Sequence, residues 1–175
     1  MIEGPKLAEL KKELNFLQPA ELKEACLRLA KHKTENKELL HYLLFYGDKT
    51  DEYAEKVKEL LAEGFEELHP SIYKANKQLR KLLRTANKHI KFMASKHLEV
   101  EIALHFAQLF LAHPISRNNQ KTTQSVLASQ LKRIWRLVPK LEEDLSFDYQ
   151  QQFEQLLAQI KKQKTPIYDL ENFKL

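Results

Sequence analysis

Three residues in the middle of the chain have the side chains and the spacing needed to bind a divalent metal. His97, Glu101 and His105 follow one another at intervals of four residues, which places them on one face of a helix. Imidazole nitrogens and carboxylate oxygens are ligands that zinc and iron accept. A metal-binding helical protein or enzyme that uses these three residues is therefore one functional hypothesis.

Other sequence motifs give less support to catalysis or metal binding. Glu38-Leu-Leu-His41 matches the Glu-x-x-His motif of di-iron helical bundles, but those bundles need a second copy and two further glutamates. The sequence also has no glycine-rich phosphate loop, no nucleophile elbow and no His-Glu-x-x-His motif. We therefore expect a protein without a cofactor that is not an enzyme.

A second candidate site is the most basic segment of the chain, residues 73–92. It contains seven Lys or Arg residues, and no Asp or Glu occurs between Glu67 and Glu99. On a helix all seven bases fall opposite an apolar stripe, and two aromatic residues fall on the same side as the bases. This candidate surface, the basic ridge, consists of Tyr73, Lys74, Lys77, Arg80, Lys81, Arg84, Lys88, Lys91 and Phe92.

The basic ridge has three possible interpretations. It could bind a nucleic-acid backbone, with its aromatic residues stacking on bases, or it could bind an acidic protein surface. It could also be a solvated helix face, neutralised in part by the acidic helix expected at 51–66. An anionic membrane is a poorer partner, because the apolar side of this helix is needed for the core.

The net charge of +5 is unevenly distributed. Residues 69–140 carry +12, whereas residues 1–68 carry −4 and residues 141–175 carry −3. This asymmetry favours a partner of negative charge. Further bases would extend the ridge if their helix lay beside it: Arg117, Lys121, Lys132, Arg133, Arg136 and Lys140. Trp135, in the same segment, is expected to lie in the core.

The elements that position these residues are predicted to be helices alone. Only three glycines occur, and amphipathic segments are separated by proline-containing breaks, including His-Pro at 69–70 and 113–114. The pattern predicts an all-α protein of about eight helices, either a bundle or a short array of HEAT-like hairpins. We expect one domain over 1–162 and a C-terminal tail, 163–175, that docks on it through Ile167, Tyr168, Leu170 and Phe173.

Two segments are apolar on nearly every side and are predicted to be buried: 39–46 (LLHYLLFY) deep in the core and 98–112 as the central helix. Cys26 is the one cysteine, and its place in a helical pattern predicts a buried hydrophobic residue. The chain has no apolar run typical of a signal peptide or a membrane span. We therefore expect a cytoplasmic protein.

The N-terminal half resembles a family of uncharacterised small helical proteins from Bacteroidetes. The resemblance is carried by Leu10 to Leu14 (LKKEL), by Glu21-Leu22 at the start of a helix, and by the segment from Lys37 to Tyr46. It covers about the first 95 residues, and the Gln-rich C-terminal helix departs from the pattern. The resemblance implies an all-helical fold and a bacterial source, and no activity is assigned to that family.

Overall fold

The protein is all-α, as predicted. The computed structural model describes residues 4–167, Leu170 and Phe173. Over these residues it contains α1 (Leu7–Leu14), α2 (Pro19–His32), α3 (Thr34–Phe45), α4 (Thr50–Glu66), α5 (Ile72–Met93), α6 (Lys96–Ala112), α7 (Lys121–Leu137) and α8 (Glu143–Gln163). Short 3₁₀ turns at Pro114–Arg117 and Val138–Lys140 follow α6 and α7. Among the described residues, no helix is both long enough and apolar enough to span a membrane.

The chain divides into two compact units, one ending at Asp48 and the other beginning at Lys49. The first unit contains α1, α2 and α3, of which α2 and α3 contact each other extensively. Asn36 Nδ2 donates a hydrogen bond of 2.9 Å to the carbonyl oxygen of Leu29 and so links these two helices. Tyr42 is the one buried hydrophobic side chain among the described residues of this unit.

Two expectations about the first unit are wrong. Segment 39–46 does not lie deep in a core, since Leu43, Leu44 and Phe45 are 56%, 68% and 61% exposed. Cys26 is exposed as well. The reason is geometric: a three-helix unit can cover one side of each helix, whereas α3 is apolar on nearly all sides. Its remaining apolar side chains therefore stay at the surface.

The second unit is built around α6. Nine of the seventeen residues of α6 are buried, among them Phe106 and Phe110. This helix contacts each of the other four helices of the unit, α4, α5, α7 and α8. The prediction that segment 98–112 forms the central helix is confirmed. Because α6 is apolar on nearly all sides, it requires neighbours all round, and the unit provides them.

Contacts between the helices fix their directions in the second unit. Tyr53 Oη and His89 Nδ1 share a hydrogen bond of 2.7 Å, and Gln78 Nε2 donates to the carbonyl oxygen of Glu67 at 3.1 Å. These pairs join the start of α4 to the end of α5 and the end of α4 to the start of α5. The two helices therefore form an antiparallel hairpin.

The remaining directions follow in the same way. Phe65 near the end of α4 packs edge-on against Phe106 of α6, with ring centroids 5.1 Å apart, and Asp51 at the start of α4 lies near His97 at the start of α6. Helices α4 and α6 are therefore parallel. Arg133, near the end of α7, bonds Glu99 at the start of α6, so α7 runs antiparallel to α6 and parallel to α5.

Two further predictions concern Trp135 and the C-terminal tail. Trp135 is 39% exposed, so the expectation that it lies in the core is wrong; the core face of α7 consists of smaller residues such as Leu131 and Ile134. In the tail, Ile167, Leu170 and Phe173 are half-buried, while Tyr168 lies outside the described residues.

Gly64 allows the close approach of α4 and α5. A Cβ atom at this position would lie 2.7 Å from Cδ1 and 2.9 Å from Cδ2 of Leu82. Both distances are far below van der Waals contact, so a larger residue would force Leu82 to move. Gly64 therefore allows α4 to approach α5 here with Leu82 in its observed conformation.

We expect Gly64→Ala to lower the free energy of unfolding, because overpacking costs about 1–3 kcal/mol and outweighs the gain in helix propensity. In a Leu82→Ala background the clash is absent, and the same change should stabilise the protein by about 1 kcal/mol. Urea unfolding of the four proteins in this double-mutant cycle measures the coupling. An identical effect of Gly64→Ala in both backgrounds would contradict the proposed contact.

Candidate functional site

The basic ridge forms the outer face of α5. The opposite face is the predicted apolar stripe, in which Ala75, Leu79, Ala86, Ile90 and Met93 are buried. Of the seven bases, Lys88 is half-buried and the others are exposed: Lys74, Lys77, Arg80, Lys81, Arg84 and Lys91. At a rise of 1.5 Å per residue, the ridge from Tyr73 to Lys91 is about 27 Å long.

Most of the ridge cations have no anionic partner in the described part of the chain. No described carboxylate forms an ion pair with Lys77, Arg80, Lys81, Arg84 or Lys91. Lys74 Nζ lies 3.4 Å from His69 Nε2, which is a weak contact. Lys88 has an interaction of its own within the protein. The positive charge of at least five ridge residues is therefore directed to solvent.

The acidic helix α4 forms no described ion pair with five of the ridge bases: Lys77, Arg80, Lys81, Arg84 and Lys91. Helix α4 meets α5 through Gly64, and Glu59, Glu63 and Glu66 lie about 100° or more from Gly64 around the helix axis. Glu55 pairs instead with Lys58 of its own helix, at 2.5 Å. Among the described residues, the acidic side chains of α4 therefore give little support to the alternative that they partly neutralise the ridge.

The two ridge aromatics have different environments. Tyr73 is 81% exposed, as expected for a residue that could stack on a ligand. Phe92 is only 9% exposed, and its ring lies edge-on to His89 with centroids 5.6 Å apart. His89 in turn bonds Tyr53 of α4. The expectation that Phe92 stands on the ridge surface is therefore wrong, because the side of α5 on which it lies is covered.

The second basic helix reaches one end of the ridge. Asn76 of α5 bonds Thr122 and Thr123 at the start of α7, at 3.4 and 3.0 Å. Because α5 and α7 run parallel, Arg133 is brought to the end of α5, where it lines a groove together with Lys91. Arg133 Nε bonds Glu99 Oε1 at 3.2 Å, and burial lowers the pKa of Arg133. Of the six additional bases predicted, Arg133 is the one that this groove joins to the ridge.

Sequence reasoning missed two residues of the same groove, Asn87 and Lys96. Asn87 lies on the flank of α5, between the apolar stripe and the ridge, and Lys96 begins the next helix. Neither position is distinctive in the helical pattern. The groove depends on how three helices meet, and the pattern of a single helix carries no signal for that.

The structure does not bring His97, Glu101 and His105 together as metal ligands. Glu101 accepts a hydrogen bond from Lys58 Nζ at 2.7 Å and another from Tyr149 Oη at 3.4 Å. His97 Nδ1 bonds Ser95 Oγ at 3.0 Å. No group of three or more His, Cys, Asp or Glu residues within the described ranges is arranged to hold a metal ion.

The side chains around Glu101 form a polar cluster within the second unit. Burial acts to lower the pKa of Lys58, but its hydrogen bonds to Glu101 and Glu55 outweigh this, and the net effect is a raised pKa. Burial and the nearby Glu101 carboxylate raise the pKa of Tyr149 to about 12. Burial lowers the pKa of His105, whose Nε2 is buried without a described hydrogen-bond partner. The cluster is a charged structural network in which Glu101 is shared between Lys58 and Tyr149.

Comparison with known proteins adds no relative. No family model, curated protein or solved structure matches the chain. The resemblance to small helical proteins from Bacteroidetes therefore stays a prediction, and function has to be argued from the residues themselves.

His105 should make stability dependent on pH. Its lowered pKa means that below about pH 6.5 the unfolded chain binds a proton more readily than the folded protein does. The stabilising effect of the neutral ring is complete above that pH and is lost as the pH falls toward the lower folded pKa. We expect the midpoint of urea unfolding to decrease as the pH is lowered from about 7 to about 5. His105→Asn should make this dependence of the midpoint on pH less steep.

The matched control is His32→Asn, at an exposed histidine of the first unit. This variant should keep the wild-type slope. The remaining slope in His105→Asn should include a contribution from His113, whose pKa is also lowered by burial. An unchanged pH dependence in His105→Asn would show that the buried ring does not resist protonation.

Proposed function

We propose that the chain is a non-enzymatic helical interaction module that binds the phosphate backbone of nucleic acid through the basic ridge. The observation that carries this proposal is that Lys77, Arg80, Lys81, Arg84 and Lys91 are exposed together on one helix face and pair with no described carboxylate. We further propose that it acts in the cytoplasm of a bacterium, without a cofactor.

A phosphate backbone suits the ridge in charge and in length. Lysine and arginine side chains that neutralise phosphates release condensed counterions, which favours binding and makes it sensitive to salt. The ridge is about 27 Å long, a distance over which one strand of a duplex presents about eight phosphates. These contacts carry no sequence information, so we expect little sequence preference.

Tyr73 favours single-stranded nucleic acid over duplex. Its ring is 81% exposed at one end of the ridge, next to Lys74. An exposed aromatic ring beside a cationic track can stack on an unpaired base, whereas bases in a duplex are already stacked. An acidic protein surface is the competing partner. Such a surface would respond to the same charges but would have no base to stack on Tyr73.

The first test removes charge from the middle of the ridge. We expect Lys77→Gln, Lys81→Gln and Arg84→Gln in one protein to weaken binding of a short single-stranded oligonucleotide by at least about tenfold at low salt. The slope of log affinity against log salt should become about 2 smaller in magnitude, since each lost phosphate contact contributes about 0.7. Fluorescence anisotropy over a salt series measures both quantities.

A variant that removes the same charge elsewhere provides the control. Lys12, Lys161 and Lys162 are exposed on α1 and α8, and changing all three to Gln lowers the net charge equally. This control should keep the affinity and salt slope of the wild type. Equal losses in the two triple variants would show that overall charge drives binding, and the ridge would then have no specific role.

The second test separates a nucleic-acid partner from an acidic protein. We expect Tyr73→Ala to weaken single-strand binding by about 1–3 kcal/mol, or about 5- to 150-fold, because one stacked base is lost. Tyr73→Phe should retain most of the affinity, and duplex binding should change little in either variant. A Tyr73→Ala protein that binds single strands as well as wild type would contradict stacking, and would favour an acidic protein surface as the partner.

A further inference from the structure

A groove in the second unit lies at the end of the ridge, where α5 ends and α6 begins beside α7. Its volume is about 490 Å³, and its polar lining comes from Asn87, Lys91, Ser95, Lys96, Glu99 and Arg133. Sites for small molecules typically have volumes of about 300–1,000 Å³. The ridge itself is convex, so this groove is a different kind of surface, although Lys91 belongs to both.

The groove is positively charged. Lys91, Lys96 and Arg133 contribute three cations, and Glu99 contributes one carboxylate, which is bonded to Arg133 Nε at 3.2 Å. Arg133 also has a long contact of 3.4 Å from Nη1 to Gln130. A guanidinium has five N–H donors, so Arg133 has others that are not used in these contacts. The groove therefore has the charge and the donors to hold an anion.

Asn87 provides a second and independent feature. Its Oδ1 is buried and has no hydrogen-bond partner within the described part of the chain. A buried acceptor left without a donor costs about 1–3 kcal/mol, and such atoms in folded proteins usually have a partner. Because Asn87 lines the groove, a turn of its amide would present Oδ1 to a ligand hydroxyl there, and that hydroxyl would supply the donor.

From these two features we infer that the groove binds a phosphate monoester, namely the terminal phosphate of a nucleic-acid strand whose backbone follows the ridge. Lys91, Lys96 and Arg133 contact the phosphate, and Asn87 Oδ1 accepts a hydrogen bond from a hydroxyl of the terminal sugar. A monoester carries close to two negative charges at neutral pH, whereas a backbone phosphate carries one. Three cations and one carboxylate match that double charge, and a concave groove accepts a group at a strand end.

This inference rests on the proposed function, because Lys91 joins the groove to the ridge. The test compares one short single-stranded RNA with a phosphate at its 5′ end, with a phosphate at its 3′ end, and with hydroxyls at both ends. We expect one phosphorylated form to bind about tenfold more tightly than the hydroxyl form. Lys96→Gln and Arg133→Gln should remove that preference, and binding of the hydroxyl form by the ridge should remain.

Asn87→Leu distinguishes ligand binding from a structural role. If the orphan acceptor serves a ligand, this variant should keep or raise the melting temperature and should reduce the preference for the phosphorylated end. A lower melting temperature with an unchanged end preference would show that Asn87 is structural, and would overturn its assignment to the sugar hydroxyl.

The experiments can contradict the proposal for the groove and the proposal for the ridge independently. Equal affinity for all three RNAs, together with no calorimetric signal from adenosine 5′-monophosphate, would overturn the groove as a phosphate site while leaving the ridge proposal intact. Binding of the monophosphate without binding of any RNA would overturn the ridge proposal and the strand-end assignment. A preference for one RNA end that Lys96→Gln abolishes would support both.

Discussion

The second unit depends on the burial of α6, a helix that is apolar on almost every side. Burying it requires four neighbouring helices, and its few polar side chains then need partners on those neighbours. Glu101 is bonded by Lys58 of α4 and Tyr149 of α8, and Glu99 is bonded by Arg133 of α7. The described bonds of these two carboxylates are therefore to side chains of α4, α7 and α8. Helix α5 contributes an apolar stripe to the same core, and among the described residues it receives no acid from α6.

In the hairpin of α4 and α5, no described carboxylate of α4 pairs with Lys77, Arg80, Lys81, Arg84 or Lys91 of α5. The two helices meet through Gly64 and Leu82 and through the bond between Tyr53 and His89. These contacts include no ion pair among the described residues, and the exposed ridge bases lie on the face of α5 opposite its apolar stripe. The close approach of the two helices at Gly64 is therefore made by apolar packing, and the exposed bases of the ridge lie elsewhere on α5.

Much of the second unit could be predicted from the sequence because helical periodicity is local. The stripe of α5, the ridge opposite it and the central position of α6 all follow from residues a few positions apart. Phe92 was misplaced because its angle on the helix is close to that of the exposed Lys74, and an angle alone does not show which end of a helix flank is covered. Asn87 and Arg133 meet at the groove because α5 and α7 run parallel, and no local pattern contains that information.

The first unit shows the limit of the same reasoning. An apolar segment such as 39–46 predicts burial only if enough partners exist to surround it. The described residues of this unit form three short helices with one buried hydrophobic side chain, Tyr42. Leu43, Leu44 and Phe45 are as hydrophobic as the residues of α6, yet they remain more than half exposed. Hydrophobicity makes burial of a side chain favourable, but the side chain is buried only where enough neighbouring elements pack around it.

The ridge also has an energetic cost that bears on its role. Among its seven bases, three pairs are four residues apart, as in Lys77 and Lys81, and four pairs are three residues apart, as in Lys88 and Lys91. Like charges at these spacings each destabilise a helix by about 0.2–0.5 kcal/mol at low salt. The sum over the seven pairs is about 1.4–3.5 kcal/mol, which is small beside the burial of α6 but not negligible in a marginally stable protein. A bound polyanion would neutralise these bases and remove the repulsion between them. Part of the binding free energy would therefore come from the loss of this repulsion within α5.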